Sequence, residues 1–425
     1  MTSVMKRTLN YFIDEELIKH SSIIFIASFI GGVCNYLFQL FIGRTLGPEE
    51  FGVFGSLFAI FYVISVLTAT IQTGTARFVS KFIGENTPEK VSFFLKSLMK
   101  KMIILGIVIV LLITIMSKYI SAFLKIDSII PVIILGIIFL FLTSLPVYLG
   151  ALQGLQKFIS LCLNSILNYS SKLIFGVIFI VIGFGVNGAI GAILIGSILS
   201  LVASYLSLKS YLSKDKIKNQ NFDFSELYKY SFPTLIAMFC YTVPANIDLI
   251  MVKHFFDVNT AGLYTAATVL GKITLFIPGA IAVVMFPKIS KLYAEKKSTT
   301  DILFKCIMYT TVISGTVALI YWFFPIYVIK IPYGLAYIEA APVIKLYGLV
   351  MFFFSLTVVL MRYSLAIHDI KFVYILSFYT FLEILLIMFF HSSMIEITLI
   401  LLLVNCALFL SGFIYIIKSK VLNKN

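Results

Sequence analysis

Charged side chains lie inside long apolar runs of this 425-residue sequence, and the clearest is Lys272 in the centre of YTAATVLGKITLFIPGAIAVVMFPKIS. A lysine at the centre of a membrane helix costs about 2.5–3.5 kcal/mol on insertion scales, so its presence there needs a reason. Thr265, Thr268 and Lys272 follow the i, i+3, i+7 spacing of one helical face. This face predicts either a stripe that binds an anionic group or a structural ion pair, with Asp248 as the partner.

A second polar stripe runs through residues 158–183, where Asn164, Asn168 and Lys172 follow i, i+4, i+8 spacing. Polar groups at this spacing in lipid must face protein or water. The asparagines predict either contact with a cargo or hydrogen bonds between helices. Lys172, close to the middle of its run, is a further candidate ligand for an anion.

Other polar residues carry two interpretations each. Asn35 and Gln39 stand one turn apart, and Arg44 follows them at the end of the run. These three predict cargo contacts, although Arg44 could simply anchor its helix at the membrane interface. Arg77 and Arg362 lie near the ends of their runs, where an arginine either contacts cargo or snorkels to lipid phosphate.

Two carboxylates inside the runs, Asp248 and Glu383, require a partner, a proton or a bound ion. They are the candidate coupling-ion sites. Glu383 could instead pair with Lys172 or Arg362. The sequence contains no phosphate-cradling glycine loop, nucleophile constellation or metal-ligand spacing, so no catalytic residue, metal or cofactor is predicted. The five cysteines show no paired spacing and are interpreted as apolar helix residues.

The elements that position these residues are predicted to be membrane helices. Hydrophobic residues make up 60% of the chain and charged residues 12%, which excludes an ordinary soluble domain. Apolar runs of about 20 residues, the length that crosses a bilayer, recur throughout. The predicted fold class is an all-α polytopic membrane protein. We predict twelve spans, at about 21–43, 51–75, 102–123, 128–152, 158–183, 187–211, 230–253, 261–287, 305–329, 341–367, 371–390 and 396–417.

Charge asymmetry predicts the orientation. Of the 33 Lys and Arg residues, only five fall in loops opposite the N-terminal side and four fall within spans. By the positive-inside rule, both termini are expected in the cytoplasm, with the chain in the cytoplasmic membrane. We predict no signal peptide, because the polar N-terminus lacks a small-residue cleavage site. The net charge of +14 reflects topology and anionic lipid headgroups, so nucleic acid is not an expected partner.

An internal repeat appears when the chain is shifted by 210 residues. Residues 19–81 then align with 229–291 without a gap, with Gly52 over Gly262, although only ten of 63 positions are identical. Each half contains six predicted spans, so the repeat is parallel, an arrangement typical of transporters. The predicted domains are an N-terminal six-helix bundle (1–211), a cytoplasmic linker (212–229) and a C-terminal six-helix bundle (230–425).

The stretch FQLFIGRTLGPEEFGVFGSLFAIFYVI, followed by TGTARFVSKFIGE and a basic loop, resembles the polysaccharide-biosynthesis flippases. These are Wzx-type exporters of lipid-linked oligosaccharides in the multidrug/oligosaccharidyl-lipid/polysaccharide exporter superfamily. The likeness is clearest over residues 22–100. It implies two bundles around a central cavity lined largely by the first, second, seventh and eighth spans. The cavity would be cationic, because the cargo, a polyprenyl-linked sugar, carries a phosphate or pyrophosphate.

The resemblance implies lipid-linked oligosaccharide and membrane lipids as partners, with glycosyltransferases or a polysaccharide polymerase as further candidates; we expect a monomer. Three alternatives stay open, of which a purely structural scaffold would not need charge in the middle of the membrane. A multidrug or ion antiporter of the same superfamily would favour acidic residues in its cavity, whereas lysine and arginine outnumber carboxylates within these spans. A membrane glycosyltransferase or polymerase would usually need an extended outer loop, but the longest here reads only KIPYGLAYIEA.

Overall fold

The computed structural model is helical throughout the part of the chain that it describes. The predicted all-α fold class is therefore confirmed. The N-terminal leader and most of the predicted 212–229 linker lie outside the described residues, as does part of the 261–287 span. The structure describes residues 15–85, 87–212, 224–275, 278–279, 281, 285, 288–290, 292–293, 295, 297–367, 369 and 371–422.

The chain divides into two compact units, and one segment near the N-terminus belongs with the C-terminal half. Unit 1 comprises residues 1–42 and 64–236, and unit 2 comprises residues 43–63 and 237–425. The helix α1 (Glu15–Gly84) contributes to both, because it contains a kink at Gly47, where φ is 77° and ψ is 176°. Pro48 follows directly and cannot donate to the preceding helical turn, so the chain changes direction there.

Unit 1 is built on α1 and four further helices, α2 to α5, with a core of aliphatic and phenylalanine side chains that includes Val79, Phe94 and Val147. Helices α3 and α4 each pack against α5, and α2 packs against α3. The four helices are α2 (Pro88–Phe123), α3 (Ile130–Gly154), α4 (Phe158–Val181) and α5 (Gly185–Leu212).

Unit 2 contains shorter, interrupted helices beside long ones, and its core includes Val359, Tyr363 and Phe372. At the start of the helix Val258–Gly271, hydrogen bonds from Thr260 hold the pKa of the capping Asp257 below its ordinary value. Helix α6 (Ser225–Thr242) begins in unit 1 and ends in unit 2. The helices that follow it are α7 (Ile247–Phe255), α8 (Val258–Gly271), α9 (Thr300–Phe323), α10 (Pro325–Tyr333), α11 (Ala341–Ala366), α12 (Lys371–Phe389) and α13 (Met394–Leu422), with 3-10 turns at Lys272–Leu275 and Leu335–Ala340.

The two glycines that align in the internal repeat also meet in space within unit 2. A Cβ atom on Gly52 would lie 2.7 Å from the carbonyl oxygen of Val258 and 2.8 Å from the amide nitrogen of Gly262. A Cβ atom on Gly262 would clash with the carbonyl oxygen of Pro48. Both positions therefore require glycine because two backbones approach closely.

Among the described residues, nine helices are long and apolar enough to cross a membrane, and Ile26–Gly84, at 59 residues, has the length of two crossings. Two further predicted spans, 230–253 and 261–287, correspond in their described parts to helices that are interrupted at Thr242 and at Gly271. The predicted plan of about twelve spans therefore accounts for the helices seen. The predicted span at 305–329 also differs, because Phe324 separates α9 from α10, which begins at Pro325.

Candidate functional site

Two membrane helices of unit 2 are interrupted at the residues that carry its most polar side chains. Helix α6 ends at Thr242 and α7 begins at Ile247, and the intervening turn contains Pro244. Helix α8 ends at Gly271, and the chain continues as a 3-10 turn from Lys272. Discontinuous helices of this kind form the binding sites of many transporters, because the break frees backbone and side-chain polar groups.

Lys272 and Asn246 join the two breaks. The Nζ atom of Lys272 donates to Oδ1 of Asn246 at 3.0 Å. Asn246 in turn donates through Nδ2 to the carbonyl oxygen of Thr242 at 2.9 Å, which satisfies one of the last carbonyls of α6. Lys272 also stands directly after the end of α8, where the helix dipole favours a cation. The lysine is therefore held by a neutral amide and a helix terminus.

Side chains of α9 satisfy the carbonyl groups exposed by the break in α8. The hydroxyl of Tyr321 donates to the carbonyl oxygen of Leu270 at 2.8 Å. Ser314 donates to the carbonyl oxygen of Thr274 at 3.3 Å. Buried carbonyl groups that lack a partner are costly, so these contacts stabilise the interrupted backbone.

Asp248 lies fully buried in the first turn of α7, two residues after Asn246, and two tyrosines fix its orientation. The hydroxyls of Tyr264 and Tyr347 each donate to its Oδ2 atom at 3.0 Å. The ring of Tyr347 packs directly on Gly271, where any Cβ atom would clash with it. The absence of a side chain on the last residue of α8 thus allows Tyr347 to approach Asp248.

Glu383 completes a buried acidic pair with Asp248. It lies on α12, which packs against α7, and it is only 2% exposed. The Oε1 atom of Glu383 and the Oδ1 atom of Asp248 are buried without a hydrogen-bond partner among the described residues. Two neighbouring carboxyl groups with unused oxygens in an apolar environment are suited to hold a proton or a monovalent cation. Within the described part of the chain, no cluster of three or more His, Cys, Asp or Glu could hold a metal ion.

In unit 1, the structure brings Lys172 of α4 to Asn35 of α1. The buried ammonium group of Lys172 donates to Oδ1 of Asn35. It also lies 5.0 Å from the ring centroid of Phe38 and 5.4 Å from that of Tyr169. Cation–π contacts of this kind stabilise a desolvated ammonium. Gln39 lies 3.5 Å from the carbonyl oxygen of Asn35 and extends the polar group along α1.

Two glycines allow α1 and α4 to approach closely on either side of Lys172. A Cβ atom on Gly31 would lie 2.5 Å from the ring of Tyr169, and one on Gly176 would clash with the ring of Phe38. Gly31, Asn35 and Phe38 of α1 contact Tyr169, Lys172 and Gly176 of α4, in that order. The contacts therefore advance in the same direction along both helices. The two helices therefore run parallel here and enclose the lysine between two aromatic rings.

Other candidates from the polar stripes use their side chains locally. Asn164 is 3% exposed and donates to the carbonyl oxygen of Ser160 at 2.9 Å, and Asn168 is partly buried. Thr265 and Thr268 are buried and donate to the carbonyl oxygens of Ala261 and Thr265 at 2.7 and 2.9 Å. In this conformation, the threonine hydroxyls stabilise α8.

The three arginines lie in different environments. Arg44 donates to the carbonyl oxygens of Ile331 and Pro332, at 3.3 and 3.5 Å, and so caps the end of α10. Arg77 is exposed, whereas Arg362 is partly buried, with an Nε atom that lacks a hydrogen-bond partner among the described residues. The geometry gives Arg44 a structural contact of the kind expected for an interfacial anchor.

Asn246, Tyr264 and Tyr347 were missed by sequence reasoning. The signal for Asn246 is present, because VPAN places a proline two residues before it inside an apolar run. A proline there predicts a helix break, and a following asparagine can satisfy the freed carbonyl. The tyrosines carry no such signal, since their hydroxyls reach Asp248 only through tertiary packing.

Comparisons with known proteins give a family and a fold. A family model described as "Polysaccharide biosynthesis protein" matches residues 41–342. An uncharacterized membrane protein of Methanocaldococcus jannaschii is 26% identical over 290 residues, which are 65% of this chain and 68% of that protein. An inward-facing multidrug resistance MATE family transporter of the MOP superfamily matches with a TM-score of 0.81 at 15% identity, over 93% of this chain and 96% of that one. The lipid II flippase MurJ, in an inward closed conformation, matches with a TM-score of 0.74 at 17% identity, over 94% and 87% of the two chains.

Proposed function

The chain belongs to the polysaccharide biosynthesis protein family, and we propose that it is a flippase for lipid-linked oligosaccharide. The cargo would be a sugar chain on a polyprenyl phosphate or pyrophosphate, carried across the cytoplasmic membrane by alternating access. A transporter fold shared with a lipid II flippase supports this proposal. On this account the protein is a transporter and performs no covalent chemistry itself.

The observation that carries the proposal is the environment of Lys272. Its ammonium lies at two helix breaks inside apolar sequence, and its hydrogen bond goes to the neutral amide of Asn246. Asp248 interacts with it electrostatically, but among the described carboxylates none lies within salt-bridge distance of it. A cation without a neutralising carboxylate in contact favours an anionic ligand, because charge-assisted hydrogen bonds are strongest where water is excluded. We propose that this ligand is the phosphate of the cargo.

Lys172 would provide a second cation for the cargo, in unit 1. Its contacts with Asn35 and the two aromatic rings hold the ammonium in place. Asn35, Gln39 and Asn168 would then offer hydrogen bonds to sugar hydroxyls or phosphate oxygens. Lys272 and Lys172 are therefore the residues to which we assign recognition of the anion.

The acidic pair would couple transport to an ion. Asp248 and Glu383 each have a buried oxygen without a described partner, so a proton or Na⁺ could bind between them. Such a site lies on α7 and α12, whereas Lys272 follows α8. Because Tyr347 contacts both Asp248 and Gly271, ion binding could be transmitted to the helix break at Lys272.

The same acidic pair favours one alternative function, a multidrug or ion antiporter. The high fold similarity to a MATE family transporter is compatible with it. An antiporter for cationic drugs would need carboxylates that contact its substrate, whereas Asp248 is fully buried and held by two tyrosines. For this reason we favour the anionic cargo.

We further propose that both termini lie in the cytoplasm and that the chain acts as a monomer beside the glycosyltransferases or polymerase that make and use its cargo. The bias of Lys and Arg toward one side supports this orientation. Nine apolar helices in the described part of the chain support its placement in a membrane as a multi-pass protein.

The proposal is tested with purified full-length protein in proteoliposomes. A fluorescent lipid-linked oligosaccharide in the inner leaflet should become accessible to an impermeant quencher faster than in protein-free liposomes. A cationic dye under an imposed proton or Na⁺ gradient should not be transported. Gradient-driven dye transport without movement of the lipid-linked sugar would establish the antiporter instead.

A further inference from the structure

A cavity on unit 1, separate from the sites above, combines basic and apolar walls. It has a volume of about 560 Å³ and lies among α2, α3 and α5. Three exposed lysines line it: Lys96 and Lys100, one turn apart on α2, and Lys209 on α5. All ten lining residues are described, and none of them is acidic. The cavity therefore concentrates positive charge at one place on the helical surface.

Two tyrosines place this cavity at a membrane interface. Tyr148 of α3 and Tyr205 of α5 line it beside the lysines, with ring centroids 6.1 Å apart. Tyrosine rings are enriched at the level of the lipid headgroups, where one end is apolar and the other is wet. The lysines lie just outside the predicted apolar span of α2 and at the end of α5. On the orientation predicted from charge, this is the cytoplasmic interface.

The apolar wall continues from the lysines along α2 into the membrane. Ile103 and Ile104 line the cavity one turn beyond Lys100 and are 40% and 53% exposed. Ile107 and Leu111 extend the exposed apolar surface for two more turns, at 45% and 56% exposure. A ligand that fits this arrangement has an anionic head and a hydrocarbon chain that lies along α2.

Other lysines near this end of the unit are held elsewhere. Lys101 lies 3.6 Å from the ring centroid of Phe224. Lys157 lies 4.6 Å from the ring centroid of Tyr211 and donates to the carbonyl oxygen of Ser207 at 3.4 Å. The lysines that line the cavity itself are Lys96, Lys100 and Lys209.

We propose that this cavity binds the headgroup of an anionic phospholipid of the cytoplasmic leaflet. Lys96, Lys100 and Lys209 would contact the phosphate, and the tyrosine hydroxyls would donate hydrogen bonds to the headgroup or glycerol oxygens. Basic pockets between membrane helices on the cytoplasmic side bind such headgroups. The acyl chain would lie against Ile103 and Ile104.

The test compares two triple variants of the full-length protein by native mass spectrometry in detergent. One is Lys96→Gln, Lys100→Gln and Lys209→Gln; the other removes the same charge from exposed lysines elsewhere, through Lys90→Gln, Lys305→Gln and Lys371→Gln. Phosphatidylglycerol and phosphatidylcholine are titrated into each. Because each lysine near a membrane surface contributes roughly fivefold in affinity for anionic lipid, the cavity variant should bind phosphatidylglycerol about 100-fold more weakly.

The control variant should retain the preference of the unmodified protein for phosphatidylglycerol over phosphatidylcholine. Equal losses in the two variants would overturn the proposal, because charge alone would then explain binding. Soluble glycerol phosphate should not displace the lipid at equal concentration; if it does, the site recognises phosphate without an acyl chain. Tighter binding of a polyprenyl pyrophosphate than of phosphatidylglycerol, lost in the cavity variant, would assign the cavity to cargo instead.

Discussion

Asn246 and Lys272 meet at 3.0 Å, at the points where two helices of unit 2 are interrupted. The asparagine also satisfies the carbonyl of Thr242, so one amide links the end of α6 to the first residue after α8. The hydrogen-bond partner of this lysine is therefore a neutral amide, and the interaction with the buried Asp248 is electrostatic, without a salt bridge. This relationship underlies the assignment of Lys272 to the cargo.

Gly271 should be intolerant of a methyl group. Gly271→Ala places a Cβ atom against the ring of Tyr347 and moves its hydroxyl away from Asp248. Overpacking of this kind costs about 1–3 kcal/mol, so the midpoint of thermal unfolding in detergent should fall. Gly315→Ala is the matched control, because its Cβ atom would meet only the ring of Phe352, at 3.6 Å. Equal unfolding midpoints for the two variants would show that the contact between Gly271 and Tyr347 does not limit the size of the side chain at position 271.

Lys172 is expected to act through its charge. Lys172→Met keeps a long side chain between Phe38 and Tyr169 but removes the ammonium group. Because a charged hydrogen bond is worth about 1.5–3 kcal/mol, transport of lipid-linked oligosaccharide should fall at least about tenfold. Unfolding temperature and membrane insertion, measured in parallel, should be retained. Normal transport by Lys172→Met would make this lysine a purely structural residue.

We predict that coupling of transport to an ion gradient depends on Asp248 and Glu383. If a proton or Na⁺ binds at Asp248 and Glu383, transport in proteoliposomes should respond to a gradient of that ion. Asp248→Asn and Glu383→Gln should each abolish this response. Asp301→Asn, which changes an exposed carboxylate at the start of α9, should leave it intact. A gradient response that survives in both neutral variants would exclude these carboxylates and favour export driven by the membrane potential, worth roughly 2.3 kcal/mol per unit charge per 100 mV.

The orientation predicts opposite accessibility for two exposed positions. Glu85 lies in the short connection between α1 and α2, within the basic segment 76–101, and Asn259 lies at the start of α8. In a background without the native cysteines, Glu85→Cys should react with an impermeant maleimide only after the cells are opened. Asn259→Cys should react in intact cells. Reaction of both positions from one side would contradict the orientation and the parallel repeat together.

The sequence was sufficient for the helical membrane class, because apolar runs of bilayer length depend on composition alone. It also predicted the alignment of Gly52 with Gly262, and the structure shows why both must be glycine: their backbones touch. The division of the chain into domains at 211 and 229 stays a prediction.

The helix breaks could not be predicted from hydropathy, because the residues on either side of Lys272 are apolar enough to resemble one continuous span. The carbonyls freed at Leu270 and Thr274 are satisfied by side chains of α9, which lie 51 and 40 residues later in the chain. Likewise, tertiary packing decides the hydrogen-bond partner of Lys272. The sequence suggested an ion pair with Asp248, whereas the ammonium donates to Asn246 in the structure. Contacts of this type depend on how distant segments pack, and periodicity in one segment does not contain them.

The most direct test of the account is the initial rate of lipid-linked oligosaccharide flipping by Lys272→Ala. The matched control is Lys345→Ala, another lysine within a predicted span of unit 2, whose ammonium lies 4.1 Å from the ring centroid of Trp322. Loss of a charged hydrogen bond to phosphate should reduce the rate at least about tenfold in Lys272→Ala, with Lys272→Arg retaining part of it. Lys345→Ala should flip at nearly the unmodified rate. A normal rate for Lys272→Ala, in protein shown to be inserted and folded, would contradict the assignment of this lysine to the phosphate of the cargo.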